Sequence, residues 1–151
     1  MSFSSQFFAC LWSFGASACC CFYLNTAYRH IFWGGLLGAV SWLLYKVVFY
    51  YCSSLALSYM AGSFAVALLA EILASVLHAP ATVFLLPGLL PLVPGGGIFS
   101  MMRYAVLQQF DKSLHTGYET IVEALAIALG VAVAASLGSL LRSIIFRHKR
   151  R

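Results

Sequence analysis

Hydrophobic positions in this chain fall into long unbroken runs, with neither strict alternation nor a narrow amphipathic stripe. The first covers residues 3–24, the second 31–49, the third 55–77, the fourth 81–109 and the fifth 118–145. These lengths suit a helix crossing a hydrocarbon layer of ~30 Å, which takes ~20 apolar residues, and nothing shows the two-residue period of a membrane barrel strand. Polar breaks separate the runs: "NTAYRH" at Asn25 to His30, "YYCSS" at Tyr50 to Ser54, His78 followed by Pro80, and "QQFDKSLHTG" from Gln108 to Gly117. Pro80 pushes the residue before it out of the helical region and marks the end of the third run. The pattern predicts an all-α polytopic membrane protein, a single membrane domain over 1–151 with five transmembrane helices and its termini on opposite sides.

The fourth run is the exception. Its centre reads "LLPGLLPLVPGGGIF", Leu85 to Phe99, with three prolines and four glycines in an otherwise apolar segment. Pro87, Pro91 and Pro94 lack an N–H and disturb the turn before them, while Gly88 and Gly95 to Gly97 permit backbone angles that other residues avoid. This span is therefore expected to be broken. Unwound backbone at membrane depth is tolerated only where protein buries it or it lines a wet cavity. Discontinuous helices of this kind build substrate sites in secondary transporters, with a half-helix N-terminus aimed at an anion. Here the second half-helix is expected to start near Ile98, presenting the N–H groups of Gly96, Gly97, Ile98 and Phe99 to a carboxylate. The alternative is a re-entrant turn that only helps helices pack.

Composition agrees with the pattern and narrows it. Hydrophobic residues make up 62% of the chain, charged residues 9%, and mean hydropathy is +0.92, far from soluble domains, where about a quarter of residues are charged. The net charge of +5 would suggest nucleic acid in a soluble protein. Five of the nine Lys/Arg, however, fall at Arg142, Arg147, Lys149, Arg150 and Arg151, so the tail 147–151 reads as a cytoplasmic anchor and no nucleic-acid partner is expected. That places the C-terminus inside and the N-terminus outside. No Lys or Arg precedes the first run, so it lacks the basic start of a signal peptide and is taken as a transmembrane helix. The cysteines, four in the first run and Cys52 near a membrane edge, form neither a disulfide framework nor a metal set.

Few side chains can carry chemistry. Glu71 lies about two-thirds along the third run, where an ionised carboxylate costs ~3 kcal/mol on insertion scales. Helical spacing puts Ser63, Ala67, Glu71, Ser75 and His78 on one face. Apolar surroundings favour a neutral acid and suit a carboxyl to carrying a proton; the alternative is a structural carboxyl bonded to a neighbouring helix. Glu123 could line a pathway or serve as a charge near a helix N-terminus. Arg103 could pair with an acidic substrate, pair with a glutamate, or anchor the interface. Gly34 and Gly38 form a GxxxG pair, and Ala126, Gly130, Ala134 and Gly138 recur every four residues, spacings that let helices approach closely. "PGGG" lacks the Lys-Ser/Thr of a phosphate loop, and no nucleophile or zinc set is spaced for catalysis. No enzyme, cofactor or metal is expected.

At "PATVFLLPGLLPLVPGGGIF", Pro80 to Phe99, the chain resembles the threonine/serine exporter family, whose C-terminal membrane domain carries a Pro-Gly…Pro-Leu-x-Pro-Gly signature after an "AE" helix, here Ala70 and Glu71. Glu71, Pro80, Pro87, Gly88, Pro91, Pro94 and Gly95 match that signature. The resemblance implies export of threonine and serine, or, in split pairs, of dicarboxylates such as succinate. It also implies a location in a bacterial-type inner membrane and a small subunit working with a larger membrane subunit of the same family, possible higher oligomers included. Exposed small-residue stripes are expected to supply the partner contacts. The competing expectation is a non-transporting membrane scaffold that assembles a partner.

Overall fold

The computed structural model describes the backbone of residues 3–148 and the side chains of residues 6–138. Six α-helices account for nearly all of it, and no strand occurs among the described residues. They are α1 (Phe3–Tyr23), α2 (Tyr28–Cys52), α3 (Leu55–Leu77), α4 (Thr82–Leu89), α5 (Gly95–Val106) and α6 (Phe110–His148), with a 3₁₀ turn at Leu90–Leu92 after α4. Among the described residues four helices are long and apolar enough to cross a membrane, and the segment from α4 to α5, bent by 48° at its break, passes the same test only as a pair, as a broken span or a re-entrant loop. The chain is an all-α polytopic membrane protein.

Short turns join the helices, and four of them use a left-handed residue that is not glycine: Asn25, Ser53, His78 and Gln108. Ser53 and His78 are the helix caps proper. Their N–H groups return to Phe49 O and Ala74 O, satisfying carbonyls that the helix end would otherwise strand. Pro80 then prevents α3 from continuing, as its sequence position predicts.

Two glycines on α2 bring α1 close. Beside Gly38 lie Ser13, whose Oγ donates to the Gly38 carbonyl at 3.1 Å, and Ser17, whose hydroxyl sits where a Gly38 side chain would be. Gly34 faces Cys21 of α1 and Pro87 of α4. The α2–α3 hairpin closes through Tyr45 and Tyr59, with ring centroids 4.7 Å apart. Between α2 and α3 runs α4, in the direction of α2. Phe84 is fully buried against the His30 ring, Gly88 meets Val66 and Leu37, and Leu92 reaches Gly62.

Helix α6 lies beside α3 and parallel to it. Tyr59 is in electrostatic reach of Glu123, Gly130 meets Ser63 and the Met60 carbonyl, and Gly138 meets Glu71. The parallel arrangement requires a crossover, and the broken α4–α5 segment provides it. At 39 residues, α6 is ~58 Å long and outreaches any bilayer core. Its first turns pack on α5 instead: Gly117 meets Met101, Ser113 Oγ donates to Met101 O at 2.9 Å, and Gly97 abuts Thr120. Tyr59 opposes Glu123, so the α5–α6 hairpin projects past the Ser53 end of the bundle. The bundle therefore has a Ser53 end and a His78 end, and the described chain begins at the first and leaves at the second.

The interior is built from small and hydroxyl residues. Ser17, Ser41, Ser58, Ser63, Val66 and Ala134 are fully buried, while Leu125, Leu129, Val133 and Leu137 stand exposed along α6. That polarity is inverted relative to a soluble bundle and suits one surrounded by lipid, where close packing replaces the hydrophobic effect between helices. Most buried hydroxyls donate to carbonyls of their own helix, Ser41 to Gly38, Ser58 to Ser54, Ser63 to Met60 and Thr120 to Thr116.

Three sequence expectations change. The second half-helix starts at Gly95, not near Ile98, because Pro94 already precedes a helical geometry that glycines can enter in the first turn. The polar stretch Gln108 to Gly117 is not a loop: only Leu107 to Gln109 turn, and Phe110 onward is helical, so α6 begins eight residues before 118. The small-residue stripes are spent within the chain, Gly34 and Gly38 on α1 and α4, Gly130 and Gly138 on α3, with Ala126 and Ala134 buried on the same face. Lys149, Arg150 and Arg151, with the side chains of Arg142 and Arg147, lie outside the described residues.

Candidate functional site

Two places hold the side chains and backbone groups that the sequence singles out, and they lie at opposite ends of the bundle. The first is a groove at the His78 end, about 580 Å³ in volume, lined by Glu71, Ala74, Ser75, His78, Ala79, Pro80 and Ala81. Helix spacing creates its polar wall: Glu71 and Ser75 are one turn apart on α3, and the left-handed cap at His78 carries the imidazole past the last turn. Ser75 Oγ donates to the Glu71 carbonyl at 3.0 Å, so toward the groove this oxygen can only accept. Glu71 is half-buried against Gly138, where the absent side chain leaves room for the carboxyl stem.

The second place is the break between α4 and α5. Leu92 opposes Gly62, eight residues into α3, so the break lies ~10 Å inside the Ser53 end and away from the middle of the bundle. The Gly95 N–H returns to Val93 O and the Ile98 N–H to Pro94 O. Starting the helix at Gly95 leaves the N–H groups of Gly96 and Gly97 as the forward-facing donors, two of the four expected from the sequence. A side chain at Gly95 or Gly96 would meet nothing within 4 Å, whereas one at Gly97 would strike Thr120. The first two glycines therefore border open space and the third is a packing residue.

Glu123 belongs to the second place. It follows Thr120 by one turn and lies near Tyr59 and Glu119. Tyr59 in turn packs on the Tyr45 ring, and Lys46 caps the same end with its ammonium 5.1 Å from the Trp42 ring and 5.7 Å from that of Tyr45. Arg103 stands exposed on α5, and among the described residues it pairs with neither glutamate. At this end His115 Nδ1 lies 3.7 Å from Glu119 Oε1, one turn apart on α6.

The separation is decisive for mechanism. Glu71 opposes Gly138, and Glu123 sits fifteen residues earlier on α6, ~22 Å along the axis. Gly97, against Thr120, is farther still. Glu71 therefore cannot share one binding site with the break glycines or with Glu123. Between the two places the α3–α6 seam is closed by Ala67, Ala126, Gly130 and Ala134, all buried. The polar stripe of α3 and the small-residue stripe of α6, read separately from the sequence, are two sides of that one seam.

Sequence reasoning missed Tyr59, Thr120 and Lys46. Tyr59 was within reach, since it continues the four-residue spacing of Ser63, Ala67, Glu71 and Ser75 one turn backward. Lys46 follows Trp42 by four residues, the helical spacing of a cation and an aromatic ring. The Thr120 contact depends on where the α5–α6 turn falls, which the polar stretch disguised.

Against this geometry, a protein-family model described as "Threonine/Serine exporter, ThrE" matches residues 9–137. The chain belongs to the threonine/serine exporter family. The match runs from α1 into α6 as far as Leu137 and includes both the groove and the break. No curated protein and no solved structure gives a significant match. As a member of this exporter family, the chain is a component of a multi-pass membrane transporter.

Proposed function

We propose that this chain is the small subunit of a secondary exporter for small carboxylate-bearing metabolites, working with a larger membrane subunit of the same family in a bacterial-type inner membrane and driven by the proton gradient. The observation that carries the reading is the break: a side chain at Gly95 or Gly96 would meet nothing of this chain within 4 Å, and exposed backbone in an apolar membrane segment calls for a wet pathway, a substrate carboxylate or a partner in place of lipid. Threonine and serine are the substrates that family membership favours, with succinate as the dicarboxylate alternative.

Orientation follows from the basic tail: with the C-terminus inside, the His78 end faces the cytoplasm and the Ser53 end, with the break, faces out. A substrate would then load near Glu71 and leave past the glycines and Glu123. Proton coupling has a simple form at Glu71. A carboxylate can hold a proton or a substrate ammonium but not both, so the two exchange, and inward protons drive substrate outward. The closed α3–α6 seam fits a resting state in which neither passes alone.

The test is efflux from vesicles that contain the chain and its candidate larger subunit, loaded with radiolabelled serine, threonine or succinate. An inward proton gradient should accelerate efflux, and Glu71→Gln should abolish that acceleration while the amount of assembled complex stays constant. Normal transport by the variant across the pH range would remove Glu71 from the coupling. The scaffold reading makes a different prediction: cysteines placed at Gly95 and Gly96, in a background lacking native cysteines, would resist soluble thiol reagents in the assembled complex.

A further inference from the structure

We infer that two copies of this chain pair through one face of the α5–α6 hairpin, on a two-fold axis along the membrane normal, and build a four-helix bundle outside the bilayer at the Ser53 end. The inference goes beyond the exporter reading and holds for any substrate.

Helix α3, with 23 residues, is ~34 Å long and fills the hydrocarbon core. Glu123 is level with Tyr59, the fifth residue of α3, so Phe110, thirteen residues earlier on α6, stands ~14 Å beyond the start of α3. Headgroups add only ~5–7 Å on each side. The hairpin tip therefore stands in water. Because α6 runs unbroken from Phe110 through the bundle, the hairpin is held upright and cannot lay a face on the lipid surface.

The two helices of the hairpin are antiparallel: Gly97 meets Thr120, and Met101 meets Gly117 and Ser113. Counted from that line of contact at ~100° per residue, Ile98, Met102 and Val106 lie roughly 50–160° round α5, and Phe110, Leu114 and Tyr118 lie within the same range round α6, in the same rotational sense. On antiparallel helices, turns of one sense fall on one side of the pair. All six side chains thus share a face, exposed by 42% at Ile98 and up to 81% at Val106, and no residue of α5 is buried. Farther along α6, Ile121, Leu125 and Leu129 carry the apolar stripe down to the depth that lipid covers. Above that depth a protein must cover it.

A second copy fits. Insertion gives every copy the same orientation, so a neighbour's hairpin presents the same face at the same height. A two-fold axis between the hairpins sets each α5 against the other copy's α6, which makes neighbouring helices antiparallel and closes the apolar side chains of both copies into one core. Six large side chains with these exposures hold on the order of 600–800 Å² per copy, close to the ~800 Å² per partner of a specific interface. The face itself carries no Lys, Arg, Asp or Glu. Arg103 stands exposed toward its α5 rim and Asp111 at its α6 rim, and the two-fold brings Arg103 of one copy to the height of Asp111 of the other.

Subunit counting tests this on the full chain, singly labelled with a fluorophore and reconstituted at high dilution in lipid vesicles, with photobleaching steps as the readout. Two steps are expected for the parent and one for Leu114→Glu, which places a carboxylate in the shared core. Arg103→Glu and Asp111→Arg should each weaken pairing about tenfold, and the double variant should return to within about threefold of the parent. Cross-linking reads the interface without a charge change. In a cysteine-free background a short bismaleimide should join Phe110→Cys into dimers, while Lys112→Cys, on the opposite face of the hairpin, should stay monomeric. One step for the parent, two for Leu114→Glu, equal cross-linking at both positions, or no recovery in the double variant would overturn the interface. So would a Phe110→Cys product formed only with the candidate larger subunit, which would give this face to that partner.

Discussion

Gly130 is where a single methyl should cost most. An alanine Cβ there would lie 2.5 Å from the Met60 carbonyl oxygen and 3.1 Å from the Phe64 nitrogen, besides striking the Ser63 hydroxyl, whereas ordinary contact begins at 3.4 Å. A serine can rotate, but a helix carbonyl cannot. To accept the methyl, α3 and α6 must part by about 1 Å, which places Gly130→Ala among overpacking substitutions that cost ~1–3 kcal/mol. Because the seam is continuous, the separation also loosens the Glu71–Gly138 contact two turns away. The measurement is reversible unfolding in mixed micelles, followed by far-ultraviolet dichroism, of Gly130→Ala beside Ala128→Leu, a larger change on the exposed face of the same helix. The first should be destabilised and the second should stay within ~0.5 kcal/mol of the parent. Adding Ser63→Gly to Gly130→Ala should restore only part of the loss, since the carbonyl overlap remains. If Gly130→Ala unfolds with the parent, or Ala128→Leu costs as much, the seam is not packed as described.

The break glycines should divide by role. Gly96→Ala meets open space and should leave stability unchanged or raise it by up to ~1 kcal/mol, while lowering efflux if substrate approaches that backbone; Gly97→Ala should destabilise by pressing on Thr120. Unchanged efflux in Gly96→Ala would remove that N–H from the pathway. Topology gives a third measurement. In a cysteine-free background, Ser54→Cys should react with an impermeant thiol reagent added outside the cell, and Ala79→Cys only when the reagent reaches the cytoplasmic side. Labelling of both from one side would refute α3 as a membrane-crossing helix.

The long spans and the broken fourth run were legible because they depend on local properties: run length against bilayer thickness, and prolines that cannot donate. The start of α5 was not, since glycine in a first helical turn sacrifices little and only the flanking Pro94 hints at the true boundary. Polarity misled at Asp111, Lys112 and Ser113, which are compatible with a helix that has left the hydrocarbon. Glu71 and the Gly130 stripe were each recognised, but that they face one another is a tertiary fact carried by the crossover through α4 and α5. For the same reason the sequence could not say that Glu71 and Gly96 sit at opposite ends. Both are polar features of apolar spans, and nothing local records their depth.

The parallel pairing of α3 with α6 has a consequence for synthesis. The first three helices can associate as successive hairpins while the chain is still emerging, each finding its neighbour at once. Glu71 cannot meet Gly138 at that stage, because that glycine is made three helices later. Until α6 inserts, the half-built protein carries a carboxyl-bearing face open to lipid, a natural point for quality-control machinery or a waiting partner to hold the nascent chain.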